Sequence, residues 1–315
     1  MTVTKRTFYF PAANGQQSIH ANCWFSENNK KIKAILQISH GMAEHIERYD
    51  DFARFMVCHG FVVYANDHAG HGLSVNNKSE YGYFGPGKGR DYLIRDMYQL
   101  TLIAKNEFPD TPFFLLGHSM GSFLSRKYTI LHKHELTGVI YMGTGNGNPF
   151  LKAGIFFSQL LSKIKGPQST GHFLDNLAFG QFNKQITKPQ SSFDWLSANE
   201  ENIKKYLADP LNGFTFTNSA FLQLFSLINE VTNLKWAKQM PSKLPVLLIA
   251  GEDDPVGNYG KGVYQTHRLL KKAGLKHITI KLFKGMRHEI LNEKNNIEVY
   301  KFINQWLNTV LSMNA

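Results

Sequence analysis

The sequence predicts an α/β fold: a mostly parallel sheet with helices on both faces, interrupted by a helical insertion. Three observations predict it. Short apolar runs alternate with helix-length amphipathic segments at both ends of the 315-residue chain, the pattern of strand–helix–strand units. That alternation stops over residues 149–240, where helical segments and phenylalanines dominate, and resumes after Pro241. An apolar run, 112–116, also turns into a helix-like run, 122–131, through Gly117-His118-Ser119-Met120-Gly121. The chain therefore reads as a core, 1–148 and 241–315, with an insertion at 149–240.

Taken in order, residues 8–10 and 18–25 form an opening hairpin with Asn14-Gly15 in its turn. Residues 34–39 are a short buried strand. Phe52, Phe55, Met56 and His59 share one face of a helix over 49–59, ended by Gly60. Residues 61–65 are the next strand, and 90–108 a long helix stopped by Pro109. Strands follow at 113–116 and 139–142, the latter before a glycine- and asparagine-rich loop at 143–148. After the insertion come a strand at 245–250, a helix at 262–273, a strand at 278–283 and a closing amphipathic helix at 297–311.

Composition narrows the function classes. Hydrophobic residues make up 43% and aromatics 13%, enough for a substantial core. No run of eighteen apolar residues marks a membrane span. The first 17 residues lack the apolar stretch and cleavage site of a signal peptide. Cys23 and Cys58 cannot make a disulfide framework and read as small core fillers. These features point to a cytoplasmic protein. The net charge of +11 comes from scattered lysines, without the basic stripe and interleaved aromatics of a nucleic-acid binder. Attraction to an anionic lipid surface is the other use such charge could have.

The run around Ser119 is short enough to recur by chance. Its setting gives it meaning, because a sharp strand-to-helix turn pushes a serine hydroxyl out of the sheet. A serine hydroxyl needs a base to become a nucleophile, and the base needs an acid to orient it. Gly251-Glu252-Asp253-Asp254-Pro255 follows one late strand, and Lys284-Gly285-Met286-Arg287-His288-Glu289 follows the next. An acidic loop and a histidine loop thus come after the serine, at strand ends. His288 is the expected general base. Asp254, three residues beyond Gly251 and fixed by Pro255, is favoured as the acid; Asp253 stays open and Glu252 is more remote. Two backbone amides should hold the oxyanion: Met120, opening its helix, and Met42, in the His40-Gly41-Met42-Ala43-Glu44-His45 loop. The spacing of His40, Glu44 and His45 does not fit a metal site, and no cofactor is expected.

These loops, with Arg48-Tyr49 and Asn66-Asp67-His68-Ala69-Gly70-His71-Gly72-Leu73-Ser74, resemble the monoacylglycerol lipase and lysophospholipase branch of the α/β-hydrolase family. The resemblance covers the core, about two-thirds of the chain. It implies Ser119, Asp254 and His288 as a catalytic triad, Met42 and Met120 as oxyanion donors, and loop-structuring roles for Asp67 and His71. The chain departs from many relatives at Ala69, where they carry arginine, and its insertion is not diagnostic.

In such a fold the insertion sits over the active site as a cap. A helix over 155–164 puts Phe157, Leu160, Leu161 and Ile164 on one face. Phe157, Leu160 and Leu161 are the expected substrate-binding residues, lining an acyl channel for a small-molecule lipid ester. The cap is also the expected point of peripheral membrane contact.

Overall fold

A computed structural model describes residues 2–27, 32–147 and 151–313. The expected boundary at 148/149 lies outside the described residues. Eight strands form one sheet: β1 (Thr4–Pro11), β2 (Ser18–Phe25), β3 (Ala34–Ser39), β4 (Phe61–Asn66), β5 (Phe113–His118), β6 (Gly138–Met142), β7 (Val246–Gly251) and β8 (Ile278–Phe283). Their spatial order is β1-β2-β4-β3-β5-β6-β7-β8. The hairpin β1–β2 is antiparallel and β2 joins β4 antiparallel; all later pairings are parallel.

The strand sequences explain their places. In β5 every residue is buried, because helices cover both faces of the sheet and leave no polar side to the strand. Alternate residues then serve opposite cores. Phe113 and Leu115 join one apolar cluster, with Val139, Tyr141, Val246 and Leu248. Phe114 and Leu116 join the other, with Ile140, Met142, Leu247 and Ile249. The first cluster is covered by α2 (Gly89–Glu107), α3 (Met120–Leu131) and α9 (Lys261–Lys272); the second by α1 (Asp50–Cys58) and α10 (Asn296–Met313).

Between β6 and β7 the described residues add no strand to the sheet. It forms α4 (Leu151–Lys165), α5 (His172–Phe179), α6 (Glu200–Ala208), α7 (Asn218–Val231) and the short α8 (Leu234–Ala237). No helix among the described residues is long and apolar enough to cross a membrane.

Two details differ from the sequence reading. The opening strand starts at Thr4 rather than at residue 8, since all eight residues of β1 pair with β2. Its polar first half has no apolar alternation to announce it. Cys23 is buried as expected, but Cys58, in the last turn of α1, is exposed and free.

Strand order reverses at β3, which has β4 on one side and β5 on the other. Loops leaving the carboxyl ends of β3 and β5 therefore diverge and open a crevice, the place where open α/β sheets bind ligands.

Candidate active site

Ser119 is the single residue between β5 and α3, with φ 52° and ψ −119°. Non-glycine residues rarely hold such a conformation, so the surroundings must impose it. They do so by close approach. A Cβ on Gly117 would overlap the Gly121 carbonyl oxygen, and one on Gly121 would overlap that of Ser39. The turn can pack this tightly only with glycine at both places. The Ser119 amide donates to Met142 O at 3.0 Å, and Ser122 Oγ donates to Ser119 O at 2.6 Å. Pinned at both ends, the residue presents its side chain to the cavity above the sheet.

The loops after β7 and β8 meet through a second close approach. A Cβ on Gly251 would overlap the carbonyl oxygens of Met286 and Arg287. The Asp253 amide donates to Met286 O at 3.0 Å. This contact brings Asp254 to His288, whose Nδ1 lies 3.0 Å from both carboxylate oxygens. Asp254 is fully buried and its Oδ1 also accepts the Val256 amide at 2.9 Å. Asp253 and Glu252 are exposed, which separates the three consecutive acids. With Nδ1 engaged, Nε2 is the nitrogen left for proton transfer.

The loop after β3 closes the third side. A Cβ on Gly41 would come within 3.1 Å of Ser119 Cβ, so this loop lies directly against the serine. The Met42 amide has no acceptor among the described residues. The Met120 amide opens α3 and so lacks an acceptor within the helix. Both residues line the cavity. Two unpaired amides beside a serine are what an oxyanion requires.

Beneath this loop lies a buried charged network. Glu44 Oε1 accepts from Gly41 N at 2.5 Å, Tyr49 OH at 2.8 Å and His118 Nδ1 at 2.9 Å. Arg48 lies 3.7 Å from Glu44 and forks onto both oxygens of Glu289, at 2.8 and 2.5 Å. Burial pushes the Glu44 carboxyl up, but His118, by hydrogen bond and charge, and Arg48 overcome this and hold it well below the usual carboxylate range. Burial likewise lowers His118, and Glu44 overcomes it, so the imidazole is raised. The two directions agree on an ion pair. His118 is thus no rival to His288. It lies beside it, ring centroids 4.7 Å apart, engaged from below.

His40, Glu44 and His45 do not converge. The His40 ring bridges Gly41 O and His68 N, whereas His45 Nε2 reaches Asp209 Oδ2 at 2.7 Å.

The cavity over Ser119 and His288 has a volume of about 950 Å³. Much of its wall comes from the inserted helices: Leu151 and Gly154 of α4, Phe179 of α5, and Leu224 and Phe225 of α7. The Trp195 ring lies 5.1 Å from that of His288, tilted by 44°, and is held because Arg287 donates to Asp194 O and Ser197 O at 2.7 and 3.0 Å. Phe157, Leu160 and Leu161 are not in the wall, contrary to expectation. The helix is turned by its small residues. Gly154 and Ser158 are buried, and a Cβ on Gly154 would press to 2.9 Å from the Phe225 ring. Packing that stripe against α7 sends Phe157 and Leu160 outward, 37% and 41% exposed, and leaves Leu161 half-buried against the core.

Sequence reasoning missed Glu44, Arg48 and Glu289 as site-forming residues, and Trp195 altogether. The Glu44–Arg48 spacing of four on an otherwise buried loop was an available signal. Nothing local marks Trp195.

A sheet that reverses at β3, with a strained serine after β5 and a carboxylate-bound histidine after β8, is the α/β-hydrolase arrangement, and the chain is a serine ester hydrolase of that class. The chain belongs to the Hydrolase_4 family, described as "Serine aminopeptidase, S33", which it matches over residues 30–295. It is similar to the rat "Monoglyceride lipase", 27% identical over 289 residues that span 90% of this chain and 86% of that protein. A "Monoglyceride lipase homolog" of Monkeypox virus is 27% identical over 301 residues, 91% and 97% of the two chains. Among solved structures, a thermostable carboxyl esterase from Bacillus coagulans in complex with glycerol superposes with a TM-score of 0.92 at 30% identity, covering 98% of this chain and all of that one.

Proposed function

We propose that the chain hydrolyses lipid esters of the monoacylglycerol or lysophospholipid type through an acyl-enzyme. Ser119 attacks the ester carbonyl while His288 takes its proton, and Asp254 orients His288 and stabilises its cation. The Met42 and Met120 amides hold the oxyanion. His288 then protonates the departing alcohol and activates the water that releases the acid. The observation that carries this reading is the cavity: about 950 Å³, ample for a medium or long acyl chain, with six phenylalanines and four leucines in its wall beside Ser119.

Residues 149–240 act as a cap on the core of 1–148 and 241–315, contributing the wall that selects the acyl group. The cap also meets the lipid. Phe156, Phe157, Leu160 and Ile164 of α4 and Phe173 of α5 are exposed together, an apolar patch of the kind that marks interaction surfaces. Lys152, Lys163 and Lys165 flank it on α4. This supports a cytoplasmic enzyme in reversible contact with membranes; the exposed free thiol of Cys58 fits a reducing compartment.

The test is a panel of p-nitrophenyl esters of increasing chain length, with 1-oleoylglycerol beside it. Rates should rise from acetyl to medium and long chains, and Ser119→Ala should abolish both turnover and labelling by a fluorophosphonate. A preference for acetate would make the enzyme a short-chain esterase. Full activity in the serine variant would remove Ser119 from the mechanism.

A further inference from the structure

Charge in the cavity wall is distributed against the trend of the whole chain. The protein carries 35 lysines and arginines against 24 acids, yet among the described residues no lysine or arginine lines the cavity. Three carboxylates do: Glu44, Asp175 and Glu289. Two of them are neutralised. Glu44 is bound by His118, Tyr49 and Gly41 N, and Glu289 by Arg48 and Asn202.

Asp175 is different. It sits on α5, between the buried Leu174 and the lining residue Leu177. Its carboxylate has no hydrogen bond or ion pair among the described residues. It is half-buried, and burial raises its pKa against a weak opposing effect of His172. Among the described residues it is the carboxylate of the wall without a hydrogen-bond or ion-pair partner. A carboxylate there does nothing for an apolar acyl chain, and it is not part of the mechanism above.

We propose that Asp175 sets the charge preference of the cavity: it admits neutral and cationic esters, disfavours anionic ones, and hastens departure of the carboxylate product. The inference rests on the acyl-enzyme reading of Ser119. Like charges in a partly desolvated cavity repel strongly, because less water lies between them than at the surface. A substrate carrying an anionic group would meet Asp175 and find, among the described residues, no lysine or arginine in the wall to pair with. Asp175 also speeds product release, since hydrolysis turns a neutral ester into an anion inside a wall that repels anions.

The experiment uses three esters with the same six-carbon acyl skeleton: p-nitrophenyl hexanoate, mono-p-nitrophenyl adipate and p-nitrophenyl 6-aminohexanoate. In the wild-type protein kcat/KM should fall in the order cation, neutral, anion. Asp175→Asn should raise the anion-to-neutral ratio about tenfold at low ionic strength, and Asp175→Lys should raise it further. The wild-type discrimination should shrink between 20 mM and 500 mM salt, as screened charge requires and a purely structural role does not. Inhibition by hexanoate and oleate should tighten in both variants. An anion-to-neutral ratio that stays within twofold in both variants overturns the role of Asp175. So does a wild-type ratio indifferent to salt. Failure of the underlying reading looks different: Ser119→Ala would then turn over all three esters.

Discussion

At the scale of single residues, the site depends on positions whose geometry is imposed from outside. Ser119 holds a strained backbone because Gly117 and Gly121 let two loops approach it. Glu44 does the equivalent for the loop after β3, the proposed oxyanion loop. One of its oxygens gathers Gly41 N, Tyr49 OH and His118 Nδ1, so a single side chain ties the amide side of the site to the histidine side. Glu44→Gln keeps the shape but removes the charge that compensates His118 and Arg48. Breaking one partner of a buried ion pair typically costs 3–5 kcal/mol, and a remaining amide hydrogen bond offsets part of it. The expected result is a stability loss of about 2–3 kcal/mol and a kcat lowered roughly 10- to 100-fold with little change in KM, because the oxyanion donors lose their alignment. Thermal melts and steady-state kinetics on p-nitrophenyl hexanoate check both. A rise in KM alone would mean that Glu44 shapes binding rather than the oxyanion hole.

At the scale of elements, the inserted helices are locked to the core through Arg126 on α3. Its side chain is fully buried, and it donates to Thr144 Oγ1 at 2.7 Å, Gly145 O at 2.9 Å, Thr266 Oγ1 at 3.3 Å and Val231 O at 3.3 Å. Those partners belong to the loop after β6, to α9 and to α7. Among the described residues no carboxylate compensates it, and burial lowers its pKa to about 10, a desolvation cost on the order of 3 kcal/mol. The aromatic faces of Phe123, Tyr141 and Trp236, 5.1 to 5.5 Å away, offset it. Arg126→Met should destabilise the protein by about 2–4 kcal/mol, since four buried acceptors lose their donor. Amide exchange should quicken in α7 more than in β5; uniform quickening would show that Arg126 does not specifically hold the insertion. The elements themselves were largely legible in the sequence, most strands to within a residue or two, because apolar runs and glycine or proline stops are local signals. Orientation was not. Periodicity showed α4 to have an apolar face but not that Gly154 and Ser158, rather than Phe157 and Leu160, would pack inward. The pair Arg48–Glu289 joins residues 241 apart, and no periodicity reports such a contact. Ser119, Asp254 and His288 were legible because each follows a recognisable strand; the network beneath them was not, because its members meet only through the fold.

At the scale of the whole molecule, stability should depend on pH through histidines buried behind the β3 loop. The rings of His40, His68 and His71 lie 4.3 to 6.3 Å apart. Burial lowers all three, and in His68 and His71 the neighbouring histidines add to it; His71 falls to about 3. In the folded protein His71 is neutral at mildly acid pH and His40 and His68 are held toward the neutral form, while in the unfolded chain all three titrate near 6.5. Below that value the unfolded state binds more protons than the folded state, so stability is fully present above pH 6.5 and is lost as pH falls toward 3. Asp96 works in the opposite sense. It is buried, with its carboxyl raised to about 7, so it favours the folded state at low pH and loses that contribution between pH 4 and 7. Three lowered histidines against one raised carboxyl leave a net uptake of protons on unfolding near pH 5, so stability falls as the pH falls there. Urea midpoints should therefore fall steadily from pH 6.5 to 4.5. His71→Phe, at a site already flanked by Phe84, Phe214 and Phe216, should flatten that slope by about one proton, and Asp96→Asn should steepen it by about the same. A slope unchanged in both variants would place the acid sensitivity elsewhere in the protein. Movement of the two slopes in opposite directions would assign it to these buried histidines and to Asp96.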